Sequence, residues 1–136
     1  MRVLVGCEFS GTVRRAFRAC GHDAWSCDLL PALDNDPHHL QCDVLDVIDA
    51  GWDIGIFHPP CTYLTNSAAW AYGDGPYHQR IKSGTLVGAA RRAAREQAVR
   101  FVELLRDAPI ARIAIENPVG HLSSRIGAPS QIVQPW

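Results

Sequence analysis

Asp53-Ile54-Gly55-Ile56-Phe57-His58-Pro59-Pro60-Cys61-Thr62-Tyr63-Leu64-Thr65 decides how the rest of this chain is read. The apolar, β-branched run up to Phe57 has the length and composition of a buried strand. Pro59 and Pro60 cannot continue a ladder, because each lacks an N–H and has a fixed φ. The residue before a proline is also held extended, so the chain leaves the strand stiffly. Cys61 is thereby presented just past the carboxyl end of a strand, the edge where open α/β sheets bind ligands. A thiol there reads as a reactive group or as a small buried hydrophobe.

Working outward, Arg2-Val3-Leu4-Val5-Gly6 reads as a first strand and Glu8–Thr12 as a loop. Ser10 or Thr12 is expected to cap a helix running to about Cys20. Val13, Ala16, Phe17 and Cys20 recur at helical spacing, with Arg14, Arg15 and Arg18 expected to face outward. Gly21 stands where a helix C-terminus wants glycine, and Asp23–Cys27, closing on Asp28, makes a second strand. A strand, a helix and a strand in under about thirty residues form a βαβ unit. Leu29–Leu40 is an irregular loop whose His38 and His39 are expected to face solvent. Leu40–Asp43 reads as a short third strand and Val44–Ala50 as a helical turn or two.

Downstream, Asn66–Gly84 interleaves Trp70, Tyr72 and Tyr77 with glycines, His78, Arg80 and Lys82. Stacking faces beside cations suit a lid or a nucleic-acid contact, and a plain surface insertion is the other reading. Leu86–Asp107 predicts a helix with Ala90, Ala94, Ala98, Phe101, Val102 and Leu105 as its apolar stripe. Its arginines (91, 92, 95, 100 and 106) should lie largely off that stripe, with Glu96 and Arg100 as an i,i+4 pair. Ala111–Ile115 is a further buried strand, and it stops at Glu116-Asn117-Pro118. No internal repeat, low-complexity segment or domain boundary is evident, so 136 residues read as one domain. The expected fold class is α/β, a Rossmann-like doubly wound, mostly parallel sheet with helices on both faces.

Composition narrows the function classes. A hydrophobic content of 47% suits a packed core, and a net charge of −1 gives no global field for nucleic acid, so such binding needs a local patch. No apolar run approaches membrane-spanning length, and no signal peptide is recognisable. Five cysteines without CxxC spacing argue for a reducing compartment, the cytoplasm, rather than a disulfide framework. No ligand spacing links Cys7, His58, Cys61 and His121, so no metal is expected.

The strands end in chemical groups: Gly6–Gly11, Asp28, Asp43, Cys61 and Glu116. In a parallel sheet those ends share one edge. In this order they resemble the cytosine-C5 DNA methyltransferases, which use S-adenosylmethionine. Phe9-Ser10-Gly11 is similar to that family's cofactor loop, Asp28 to its ribose-binding acid and Asp43 to the acid near the adenine. Pro60-Cys61 resembles its proline–cysteine nucleophile motif, and Glu116-Asn117 its glutamate–asparagine motif. The likeness extends to about Pro118.

The resemblance implies that Cys61, Glu116, Asn117 and Pro60 form the catalytic set and that Phe9, Ser10, Gly11, Asp28, Asp43 and Pro59 hold S-adenosylmethionine. Carbon 5 of cytosine is a poor nucleophile. A thiolate adding at carbon 6 makes it an enamine able to attack a methyl group. A carboxyl group at N3, the role implied for Glu116, stabilises the charge that develops. In a duplex the base is first flipped out. The implied partner is DNA, or a cytosine nucleotide, with no membrane.

This chain departs from the family at several positions. Val13 stands where a further glycine is usual, and Arg125 is the nearest substitute for an arginine-bearing strand beyond the glutamate. The target-recognition region and the final strands of the fold are not recognisable before Trp136, so the C-terminal part of the family fold is expected to be absent. An exposed sheet edge then favours a homo-oligomer or a complementing chain. Two alternatives stay open: a cofactor- or nucleic-acid-binding relative without catalysis, and an amino-methyltransferase using Pro59-Pro60. His58 and Cys61 depart from the motif of the latter.

Overall fold

The computed structural model describes residues 1–78 and 81–134; Arg80, named among the cations above, and Trp136 lie outside them. The elements are β1 (Arg2–Gly6), α1 (Thr12–Ala19), β2 (Asp23–Asp28), β3 (His39–Gln41), β4 (Ile54–Phe57), α2 (Gly88–Arg106) and β5 (Arg112–Ile115). Short 3-10 helices cover Val44–Asp46, Ala69–Tyr72 and His121–Ser124. By contacts the chain divides into two units, Met1–Pro60 with Val102–Asn117, and Cys61–Phe101 with Pro118–Trp136.

The first unit carries one sheet of five parallel strands in the order β3-β2-β1-β4-β5. This is the Rossmann-like doubly wound arrangement. The chain steps one way from β1 to β2 and the other way from β1 to β4. Right-handed crossovers then put the two connections on opposite faces. Central strands buried on both sides read as unbroken apolar runs, as Val3, Leu4 and Val5 do. Val3, Val5 and Ala24 form one face of the core, with Val13, Phe17, Ile54 and Ile56 packed on it. On the other face the Phe57 ring lies over the glycines: a Cβ at Gly6 would sit 2.6 Å from Phe57 Cδ1, and one at Gly55 2.8 Å from Cζ. The ring fits only because both positions lack side chains.

Helix α1 ends as its sequence predicts. Gly21 takes φ +80, and the N–H groups of Gly21 and His22 donate to the carbonyls of Arg18 and Phe17, closing the final turn. Its start differs from expectation. Neither Ser10 nor Thr12 is the N-cap residue; that is Gly11, in the left-handed region at φ 71. β3 begins one residue earlier than expected, and β5, read as buried, is an edge strand with Arg112 and Ala114 exposed.

Arg14 departs furthest from its predicted place. Instead of facing outward it is 0% exposed, the largest fully buried side chain. Nη1 donates to Ser26 Oγ at 2.7 Å, while Nη2 pairs with Asp34 Oδ2 at 2.5 Å and lies 3.6 Å from Asp36 Oδ2. The loop after β2 supplies both acids, so the same loop supplies the compensation a buried guanidinium needs. His38 and His39, expected in solvent, are half-buried in this network. His39 Nε2 lies 2.9 Å from Leu30 O, a carbonyl that only accepts, and His39 Nδ1 lies 2.9 Å from the Ser26 hydroxyl. His38 Nδ1 lies 2.8 Å from Asp36 Oδ1, and its ring packs edge-on against Trp25.

Hydrogen bonds from Arg14 and Arg15 hold the Asp34 carboxyl down at about 2. A carboxyl lowered on folding stabilises the fold fully above its unfolded value of about 3.9 and loses that contribution as pH falls through the folded value. Stability should therefore fall between about pH 4 and 2, and Asp34→Asn should flatten that limb. Chemical unfolding across this pH range reads the effect; an unchanged slope in the variant would remove Asp34 as its source.

In the second unit the aromatic stretch and the first part of α2 engage each other. Arg95 sits 3.2 Å from the Tyr72 ring centroid, and Arg91 lies over Tyr63 and Tyr72 at 5.3 and 4.8 Å. Arg95 Nε and the Tyr72 hydroxyl both donate to Tyr63 O. The buried stripe of α2 runs Gly88, Arg91, Val99, Val102, Leu105, whereas Ala90 is exposed. Cation–π stacking lets an arginine sit on a face that hydropathy assigns to alanine. Trp70 packs against Tyr77. Glu96, expected to pair with Arg100, is bound at both oxygens by Arg125, at 2.6 and 2.8 Å.

Candidate active site at the carboxyl edge of the sheet

Strand register brings the candidate groups of the first unit into one row. Gly6 pairs with Cys27 and Phe57, and Phe57 pairs with Ile115. The residues that follow them, Cys7, Asp28, His58 and Glu116, therefore emerge side by side. Backbone bonds continue the ladder past the strands: Glu8 N donates to Cys27 O, His58 N to Gly6 O and Glu116 N to Phe57 O.

The strand order reverses between β1 and β4, and crevices at such switch points are where sheets of this kind hold nucleotide cofactors. A cavity of about 310 Å³ lies there, lined by Cys7, Glu8, Phe9, Ser10, Thr12, Val13 and His58. That volume suits a small molecule. Phe9 exposes its ring, while its carbonyl accepts from Leu33 N. A Cβ on Gly11 would meet Arg14 Nη2 at 2.5 Å and Asp34 Oδ2 at 2.6 Å, so the loop comes close to the buried network. Among the described residues, no three metal-ligating side chains converge.

Glu8, which the sequence reading left in a loop without a role, is the main residue it missed. It is 7% exposed; Oε1 accepts from the Ser10 hydroxyl at 2.7 Å and from Val13 N at 3.0 Å. It thus performs the capping expected of Ser10 or Thr12, and Ser10 Oγ takes the Thr12 N–H at 3.2 Å. The signal in the sequence was an acid just ahead of a helix, where the dipole favours one. Its other oxygen, Oε2, is buried and has no hydrogen-bond partner among the described residues.

Asp28 is half-buried and Asp43 exposed; each uses Oδ1 to close its own turn, on Leu30 N and Leu45 N. Burial, together with Asp28 and Asp43, pushes the Cys7 thiol up to about 12. Cys7 therefore stays a protonated thiol at neutral pH, not a nucleophile. Pro59 is buried and Pro60 exposed. Asn117 Nδ2 donates to Pro59 O at 3.0 Å, fastening the Glu-Asn segment to the Pro-Pro segment. Glu116 is exposed, with Oε2 3.6 Å from His58 Nδ1; the other ring nitrogen, His58 Nε2, is buried with no partner among the described residues.

Cys61 follows Pro60 as the first residue of the second unit and is half-buried. Its carbonyl accepts from Leu64 N and Thr65 N, so a tight turn starts at the cysteine itself. His121 N donates to Leu64 O, and Thr65 bridges Gly120. The turn after Cys61 is thereby tied down within its own unit. No helix among the described residues is long and apolar enough to cross a membrane. Comparison with protein-family models, with curated proteins and with solved structures finds no match to this chain.

Proposed function

We propose that this chain is a cytosine-C5 methyltransferase-like enzyme that uses S-adenosylmethionine and acts on cytosine in DNA. The observation that carries the reading is the row at the carboxyl edge. There the glycine loop with its cavity, the His58-Pro59-Pro60 exit and Glu116-Asn117 follow adjacent strands, and Asn117 clamps Pro59. A Rossmann-like sheet supplies the generic cofactor crevice. The Pro-Pro-Cys and Glu-Asn sequences leaving its two neighbouring strands supply the specific chemistry.

In this reading Phe9, Ser10 and Gly11 hold the cofactor loop side, Asp28 takes the ribose hydroxyls, Asp43 the adenine amine, and Pro59 walls the pocket. The orphaned Glu8 oxygen and a cavity of about 310 Å³ fit a small ligand that brings a hydrogen-bond donor. When bound, S-adenosylmethionine supplies an electrophilic methyl group on a sulfonium. Cys61 adds as thiolate to carbon 6 of the cytosine, and Glu116 holds a proton at N3 as charge develops there. Transfer to carbon 5 would release the cofactor as its neutral thioether; carbon 5 would then give its proton to water, and the bond between carbon 6 and the Cys61 sulfur would break to return the thiolate. Asn117 positions the Pro-Pro segment ahead of Cys61 and does not react.

The test is covalent trapping on DNA carrying 5-fluorocytosine, with S-adenosylmethionine, read by intact mass. Fluorine at carbon 5 does not leave as a proton does, so the enzyme stalls attached through sulfur. The expected result is one adduct per chain, absent from Cys61→Ser. A folded chain that binds the DNA and the cofactor without forming an adduct would overturn the reaction.

A further inference from the structure

We propose that Cys27 and Cys42 form a redox-active dithiol, which a peroxide closes to a disulfide and which thereby weakens cofactor binding at the acids that follow the two cysteines. The disulfide rests on the strand geometry alone; its effect on binding rests on the S-adenosylmethionine reading.

Cys27 is the next-to-last residue of β2, and Cys42 follows the last residue of β3. The parallel register sets Cys27 beside Leu40 and Asp28 beside Gln41, so the two cysteines meet at one corner of the carboxyl edge. Their sulfurs lie 3.8 Å apart, and the Cys27 thiol donates to Cys42 O at 3.4 Å. Both are free thiols. A disulfide bond is about 2.05 Å long, so an approach of less than about 2 Å separates the reduced pair from the closed one.

The two sulfurs differ in access. Cys27 is 0% exposed, whereas Cys42 is half-buried. Burial, with Cys42 beside it, pushes the Cys27 thiol above its ordinary range, so Cys27 keeps its proton. Cys42 is therefore the sulfur that a peroxide meets. Reacting as its thiolate, it takes one peroxide oxygen and becomes a sulfenic acid; the O–O bond breaks, and the other oxygen leaves as water with the thiol proton. The Cys27 sulfur then attacks the Cys42 sulfur. The S–S bond forms, the S–O bond breaks, and the hydroxyl group leaves with the Cys27 proton as a second water. Two thiols are oxidised and one peroxide is reduced. In a reducing compartment a disulfide of this kind is transient and serves as a sensor.

Asp28 and Asp43 are the next residues after the two cysteines, and each starts a turn, with Oδ1 on Leu30 N and on Leu45 N. Drawing the sulfurs together shifts both turn starts. The closed loop, residues 28–41, also carries Asp34 and Asp36, the partners of buried Arg14. Charge-assisted hydrogen bonds are short and directional, so acids displaced in this way hold a ligand less well.

The experiment treats the whole chain with hydrogen peroxide, blocks the remaining thiols in denaturant, and cleaves ahead of aspartate. Mass spectrometry should find residues 23–27 joined to residues 36–42, and dithiothreitol should part them. Calorimetry with S-adenosylhomocysteine as the cofactor probe should show binding about 10-fold weaker after peroxide, the scale of one charge-assisted hydrogen bond. Cys42→Ser should form no link at Cys27, and peroxide should leave its probe binding unchanged. The mapping needs no variant, so it decides the disulfide even where Cys42→Ser fails to fold. Separate labelling of Cys27 and Cys42, or a link from Cys27 to Cys7, overturns the inference. A Cys27–Cys42 link with equal probe binding before and after peroxide overturns the control of the site and leaves the cofactor reading in place. A reduced, folded chain that does not bind the probe overturns the cofactor reading and the control together, and leaves the disulfide to the mapping.

Discussion

Cys61→Ser is expected to abolish adduct formation and to lower methyl transfer more than about a thousand-fold, with the fold intact. A hydroxyl near neutral pH offers almost no anion, and loss of a covalent nucleophile removes a whole step rather than one contact. Glu116→Gln should cost less, about a hundred- to ten-thousand-fold, because in the proposed reaction it removes only proton assistance at N3. Glu116 is exposed, so its replacement leaves the packing untouched and the loss reports chemistry. Steady-state methylation of cytosine DNA, with denaturation curves for each variant, measures both. Equal losses in the two variants, or full activity in Cys61→Ser, would remove Cys61 from the role of nucleophile. Cys7 does not take its place, since burial and two neighbouring acids keep that thiol protonated.

Arg14→Ala should destabilise the chain by about 3–5 kcal/mol, the range for breaking a buried ion pair while also leaving a cavity. The side chain is wholly buried and bonded to Ser26 and Asp34. Arg14→Met separates the contributions, since an unbranched stem refills much of the space while the guanidinium bonds are lost. It should lose about 1–3 kcal/mol, because Asp34 and Asp36 are partly exposed and regain water. Urea unfolding at neutral pH distinguishes the two. Equal small losses would mean that the loop after β2 holds its place without Arg14. A large loss should carry reduced cofactor-probe binding with it, because Arg14 and Asp34 stand beside Gly11.

The architecture was legible because local pattern and global fold agree. Val3-Leu4-Val5 and Ile54-Gly55-Ile56-Phe57 are apolar runs bounded by glycine or proline, and such runs have one use, as central strands of a parallel sheet. Chain order with right-handed crossovers then leaves few arrangements. The sequence by itself also placed Asp28, Asp43, Pro59, Pro60, Glu116 and Asn117 at strand ends or within three residues of them, because a strand end is set by local chemistry.

Polar partnerships across the chain were decided by tertiary structure alone. Arg14 looked like a solvent-facing residue because periodicity weighs hydropathy and cannot see Asp34 and Asp36 arriving from twenty residues away. Arg91 and Arg95 joined the inner face of α2 because tyrosine rings stand opposite them, a pairing that hydropathy scores as two separate polar facts. Glu8 gained its role only when the turn at Cys7 and Gly11 brought its carboxylate back to the start of α1. A hydrophobic pattern is a property of neighbours along the chain, and it can be read there. The burial of a charge depends on the partner that compensates it, and only the folded chain says which one that is.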